Sequence, residues 1–161
     1  APRSGPAVEC FPFSERGACM AFLADALRQL GEREPLATTA ILTPSPEWSA
    51  LYAEGLAAAE IPRLRQVRDQ DFCFLPGIDV TEIEQARGLE FDYVVIVEAD
   101  ARNFPEQDAS RRRLHVAATR AIHQLWVTAL ERLSPLLDPA LAERPAGRPS
   151  DIPAPRARDS R

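Results

Sequence analysis

The sequence predicts an α/β domain built on a mostly parallel sheet, and three observations carry that prediction. Strand-like and helix-like segments alternate from residue 7 to residue 129. Residues 92–98 (DYVVIVE) are a continuous aliphatic run bounded by acidic residues, the pattern of a central parallel strand buried on both faces. The chain has 161 residues, 45% of them apolar and 27% charged, which suits one core and is too short for two full domains.

Residues 7–11 (AVECF) have the length and apolarity of a first strand. Ser14 and Glu15 then open a helix whose buried stripe is Cys19, Phe22, Leu23, Ala26, Leu27 and Leu30, with Gly31 as its stop. Residues 37–43 (ATTAILT), rich in β-branched side chains, supply the second strand and complete a βαβ unit. Pro46 belongs in the first turn of a second helix, along which Trp48, Leu51, Tyr52, Gly55, Leu56 and Ala59 repeat the apolar spacing until Ile61 and Pro62 end it. A third strand is expected near 64–68, a loop over 69–77, and a strand over 78–83 (IDVTEI), where apolar and polar residues alternate. After the central strand, a helix starting near Gln107 turns Leu114, Ala117, Ala118 and Ala121 toward the sheet, and 124–129 (QLWVTA) is the last strand. Residues 1–132 are thus expected to form the domain. Residues 133–143 make at most a short helix, and the rest of 133–161 is a Pro/Arg-rich tail too polar to offset its ordering entropy.

Composition narrows the function. The 19 basic residues are all arginine, against 24 acidic ones, for a net charge of −5. Without lysine, Schiff-base chemistry and the phosphate-binding lysine of a P-loop are excluded. A standalone nucleic-acid binder relying on phosphate neutralisation is not expected from an acidic chain, so any such contact is local or shared. Cys10, Cys19 and Cys73 are widely spaced and read as reduced, small core residues; no metal site is expected. His115 and His123 are read as structural. No apolar run reaches the roughly 18 to 20 residues of a membrane span, so the reading is a soluble, cytoplasmic chain without membrane contact.

Two segments carry chemistry. In residues 80–92 (VTEIEQARGLEFD), Gly88 sits between Arg87 and Glu90. Such a glycine lets backbone approach a ligand, while the arginine offers phosphate contacts and the carboxylate can accept from a ribose hydroxyl. Taken alone, the commoner reading is a tight turn with Arg87 paired to Glu84 or Glu90. In residues 111–121 (RRRLHVAATRA), Arg113 and Arg120 lie nearly on one helical face, away from the core stripe, and Arg120 falls near the helix end where a cation suits the dipole. Taken alone, that is a solvated basic face.

The pair, in this order and separated by one buried strand, closely resembles motifs V and VI of the UvrD/Rep-type superfamily 1 DNA helicases. QARGLEFD stands in the place of a motif ending Lys or Arg-Gly-Leu-Glu-Phe-Asp, and LHVAATRA in that of a helix ending Val-Ala-x-Thr-Arg-Ala. The resemblance implies the second, C-terminal RecA-like domain of such a protein, a three-layer fold lacking its own P-loop. It implies that Glu90 and Gly88 face the ribose of ATP, with Arg87 beside them, and that Arg120 is an arginine finger reaching the γ-phosphate. It implies ATP with Mg2+ bound jointly with a preceding N-terminal RecA-like domain, and single-stranded DNA as the track of the parent protein.

There are departures. Glu82 and Glu84 stand where the family commonly has Thr and His, and Arg113 replaces a usually apolar residue. No GxxxxGK[ST] and no following Asp-Glu pair occur, so the fragment alone is expected to be inactive. Only about 35 residues separate ATTAILT from VTEI, too few for the large inserted subdomain of the processive members. A second reading, favoured by the acidic balance and the proline-arginine tail, is an ATPase-inactive RecA-like remnant that serves as a protein-interaction or regulatory module. A standalone flavodoxin-like enzyme is disfavoured because SERG offers only Gly17 after the first strand.

Overall fold

The computed structural model of the chain describes residues 7–137. Six strands, β1 (Ala7–Phe13), β2 (Thr38–Thr43), β3 (Leu64–Gln66), β4 (Gly77–Glu82), β5 (Phe91–Ile96) and β6 (Ala121–Leu130), form one sheet. Its order is β1-β6-β5-β2-β4-β3, and every neighbouring pair is parallel. The sheet is the centre of three layers. Alternation within the buried strands serves both faces: Tyr93 and Val95 join Ile41 and Trp126 under α1 (Arg16–Arg33) and α2 (Pro46–Ala58), whereas Val94 and Ile96 join Leu42 and Val127 under α3 (Asp108–Ala118) and the 3-10 turn Ile83–Ala86.

Local signals explain most boundaries. Pro46 occupies the first turn of α2, where Ser45 Oγ accepts from the Trp48 amide at 3.4 Å. Gly77, at φ +133, starts β4, and a Cβ there would lie 2.5 Å from the Arg63 carbonyl oxygen. Gly31, expected to stop α1, does not, and the helix continues to Arg33. The Glu34 amide closes it on the Leu30 carbonyl at 2.8 Å, and Arg33 lies in the last turn, where its charge suits the dipole.

Three further expectations are corrected. Ala121, assigned to the face of the last helix, is the first residue of β6; α3 ends at Ala118, and the Thr119 and Arg120 amides close its last turn on His115 and Ala117. Packing also continues past the expected boundary at 132. Leu133 and Ser134 are buried, with the Ser134 amide on the Ala99 carbonyl at 2.8 Å and its hydroxyl on that of Phe104 at 2.7 Å. Residues 133–137 form no helix, and the expected tail over 138–161 lies outside the described residues. Finally, Cys10 and Cys19 are core residues, but Cys73 is exposed. Among the described residues no helix is long and apolar enough to cross a membrane.

Candidate functional site

Gly88, Glu90 and Arg120, separated by up to 32 positions in sequence, line one cleft of about 580 Å3 with Phe72, Phe74 and Asp79. It opens at the starts of β5 and β6. Gly88 takes φ +82, with nothing within 4 Å of where a Cβ would stand, so the conformation rather than crowding calls for glycine. The Leu89 amide bonds the Ala86 carbonyl at 3.0 Å and closes the turn that leaves Glu90 exposed.

Arg120 occupies the two-residue turn between α3 and β6. Its Nε donates to the Val116 carbonyl at 3.1 Å and its Nη2 to Thr119 Oγ1 at 3.2 Å, while Thr119 Oγ1 donates to the same Val116 carbonyl at 3.0 Å. The guanidinium therefore caps the open end of α3, where the helix dipole favours a cation. Its backbone carbonyl accepts from the Phe91 amide at 2.8 Å, which ties this turn to the residue after Glu90.

Arg87 is not in that cleft. It is exposed on a neighbouring one of about 790 Å3 with Arg112, His115 and Asp108, and it pairs with neither Glu84 nor Glu90 among the described residues. The two departures Glu84 and Arg113 instead pair with each other. Arg113 also donates from Nη2 to the Pro44 carbonyl at 2.7 Å and lies 5.4 Å from the Phe104 ring centroid, so it fastens α3 to the 3-10 turn and to the end of β2. Glu82 is likewise engaged, accepting from Ser49 Oγ at 2.9 Å and Gln85 Nε2 at 3.1 Å. His123 stands 3.5 Å from Asp92 and beside the Tyr93 ring, a packing position, whereas His115 is exposed.

One polar centre was not legible in the sequence. Glu98, just past β5 and 1% exposed, accepts from Arg16 Nε at 2.7 Å and Nη2 at 3.2 Å and from the Tyr52 hydroxyl at 2.8 Å. Arg16 lies 4.5 Å from the Trp48 ring centroid, and its pKa is raised by the hydrogen bond it donates to Glu98. Burial pushes the Tyr52 hydroxyl well above the usual tyrosine range and the Cys19 thiol up to about 11. The one available signal was the acidic end of DYVVIVE, which says nothing of the helices that would meet it.

Comparison with known proteins adds an independent view. Residues 77–128 match the family model described as the UvrD-like helicase C-terminal domain. Among solved structures, the chain is similar to the C-terminal domain of a possible DNA helicase from Lactobacillus plantarum WCFS1, with 26% identity over 89% of this chain and 84% of that one, at a TM-score of 0.67. It also resembles in fold the UvsW helicase from bacteriophage T4, at 7% identity over 77% of this chain and 46% of that one, with a TM-score of 0.50. No curated protein matches.

Proposed function

We propose that this chain, which carries a UvrD-like helicase C-terminal domain of RecA-like fold, supplies one half of an inter-domain ATP site in a DNA helicase or translocase. The observation that carries the reading is the convergence of Gly88, Glu90 and Arg120 on one cleft. Glu90 accepts a ribose hydroxyl, Gly88 keeps the turn free of a side chain, and Arg120 meets the charge that develops on the γ-phosphate. A guanidinium suits that task because its fork contacts two phosphate oxygens at once and its charge is insensitive to pH. To reach a phosphate, Arg120 leaves the Val116 carbonyl and Thr119 hydroxyl, an exchange of neutral acceptors for an anionic one that favours the extended state once ATP is bound.

A preceding N-terminal RecA-like domain supplies the phosphate cradle and Mg2+ ligands, since this chain has no GxxxxGK[ST]. Arg87, outside the cleft, is assigned to the surface facing that domain. In this reading, closure of the two domains on ATP and reopening after hydrolysis drive movement along single-stranded DNA, in the cytoplasm. The acidic balance and the engaged Glu82 and Glu84 leave this domain a minor share of the strand contacts. The test is DNA-stimulated hydrolysis by the full-length protein carrying Arg120→Ala. Loss of turnover with an intact fold supports the reading, and undiminished turnover refutes it.

A further inference from the structure

The cleft has an exposed aromatic at its mouth that the preceding reading does not use. Phe74 is 71% exposed, the neighbouring Leu75 is 60% exposed, and both line the cleft that holds Glu90 and Arg120. Single exposed apolar residues are common, so exposure alone means little. Three observations taken together set Phe74 apart. Its backbone lies at φ +55, a region that a bulky L residue adopts where the surroundings enforce it, and Asp69 and Gln70 in the same connection also take positive φ. The connection carrying it is pinned at both ends. Gln85 Oε1 accepts from the Gln70 amide at 2.8 Å, and Arg65 donates to the Leu75 carbonyl at 3.0 Å while bonding Asp79 at 2.9 Å. Its ring also continues an aromatic series, with Phe72 6.1 Å from Phe74 and Phe91 6.1 Å from Phe72, and Phe91 directly follows Glu90.

We propose that Phe74 is the stacking platform for the base of the nucleotide whose ribose and phosphates are met by Glu90 and Arg120; the proposal rests on the ATP-site reading above. A flat apolar ring held near the ribose-facing carboxylate matches a nucleoside, which presents a π-face on one side of its sugar and phosphates on the other. The volume of about 580 Å3 falls in the range of small-ligand sites. A nucleic-acid strand is the poorer occupant because a run of phosphates needs several cations, and Arg120 is the one basic residue among the described residues that line the cleft. Stacking on an aromatic is tolerant of base identity, so the platform contributes affinity rather than discrimination among nucleotides.

The experiment is steady-state hydrolysis by the full-length protein with ATP and with ribose 5′-triphosphate, which has no base. Phe74→Ala is expected to raise the KM for ATP about tenfold, more than it alters kcat, to leave the KM for ribose 5′-triphosphate unchanged, and to be rescued by Phe74→Trp. In the Trp variant, ATP should quench the emission and ribose 5′-triphosphate should not. An equal KM rise with both substrates would place Phe74 against another domain and overturn the proposal, as would no change with either. If Arg120→Ala abolishes turnover while Phe74→Ala does nothing, the platform fails and the ATP site stands; if neither matters, both fail.

Discussion

The Phe91 amide donates to the Arg120 carbonyl at 2.8 Å, so the residue after Glu90 and the proposed finger are joined through backbone. The bond continues the β5–β6 ladder, in which Phe91 is paired with Ala121. Glu90 and Arg120 each immediately precede a central strand. Their spacing is therefore set by the sheet rather than by side-chain packing.

Arg120→Ala should leave melting within a few degrees of wild type, since it removes two exposed or half-buried hydrogen bonds and no core contact. It should lower DNA-stimulated kcat by at least two decades, about 2.7 kcal/mol of transition-state stabilisation, and affect nucleotide binding less. Arg120→Lys should restore little, because an ammonium lacks the fork. A variant that melts many degrees lower yet is fully active per folded molecule would make Arg120 only the cap of α3.

Glu90→Ala should show the opposite split. A ribose contact is made in ground and transition states alike, so the KM for ATP should rise more than kcat falls. Kinetics with 2′,3′-dideoxy-ATP sharpen this. The mutant and wild type should then differ little, and a persistent difference would assign Glu90 another role.

Gly77→Ala should destabilise the fold by more than about 2 kcal/mol in urea, since φ +133 and a backbone oxygen 2.5 Å from the new Cβ both oppose it. Gly55→Ala in α2 is the control. Its Cβ would meet the flexible end of Met20 at 2.8 Å, and the propensity gain of about 1 kcal/mol offsets the adjustment, so its midpoint should stay near wild type.

Alkaline pH should weaken the fold through Cys19. Its thiol is raised from 9.0 to about 11 in the native state, so the unfolded chain ionises first as pH rises, and the stability present below pH 9 is lost between 9 and 11. Tyr52, shifted upward as well, acts in the same direction at higher pH. Thermal melts of Cys19→Ala should show a shallower decline across that interval. In native protein at neutral pH, iodoacetamide should modify Cys73, which is exposed, and spare Cys10 and Cys19.

The elements were legible where period and length agreed. DYVVIVE, ATTAILT and the Pro46 helix lie within a few residues of where their patterns put them. Errors arose where a local signal competed with tertiary contacts. Gly31 reads as a stop, yet the Leu30 carbonyl finds its partner only at Glu34; Ala121 fits a helical stripe, yet the pairing with β5 claims it. At the site, the motif spacing singled out Gly88, Glu90 and Arg120, which the fold brings to one cleft. Arg87, which the motif resemblance groups with them, lines a different cleft from the other three. The Glu84–Arg113 and Arg16–Glu98 pairs span 29 and 82 positions, and no periodicity within one element reports such contacts.

The direct joining of Arg120 to β6 and of Glu90 to β5 makes segment length more constrained than composition here. Side chains alternate faces along a strand, so one extra residue after Arg120 would either exchange the two buried faces of β6 between the helical layers or push the arginine about 3.3 Å along the strand axis. The fold tolerates substitution at exposed positions of these turns such as Glu90 and Thr119, whereas insertions and deletions disrupt it. A set of variants of this domain should therefore show single-residue length changes in the exposed stretch around Glu106 and Gln107 and almost none between Gly88 and Phe91 or between Ala118 and Ala121.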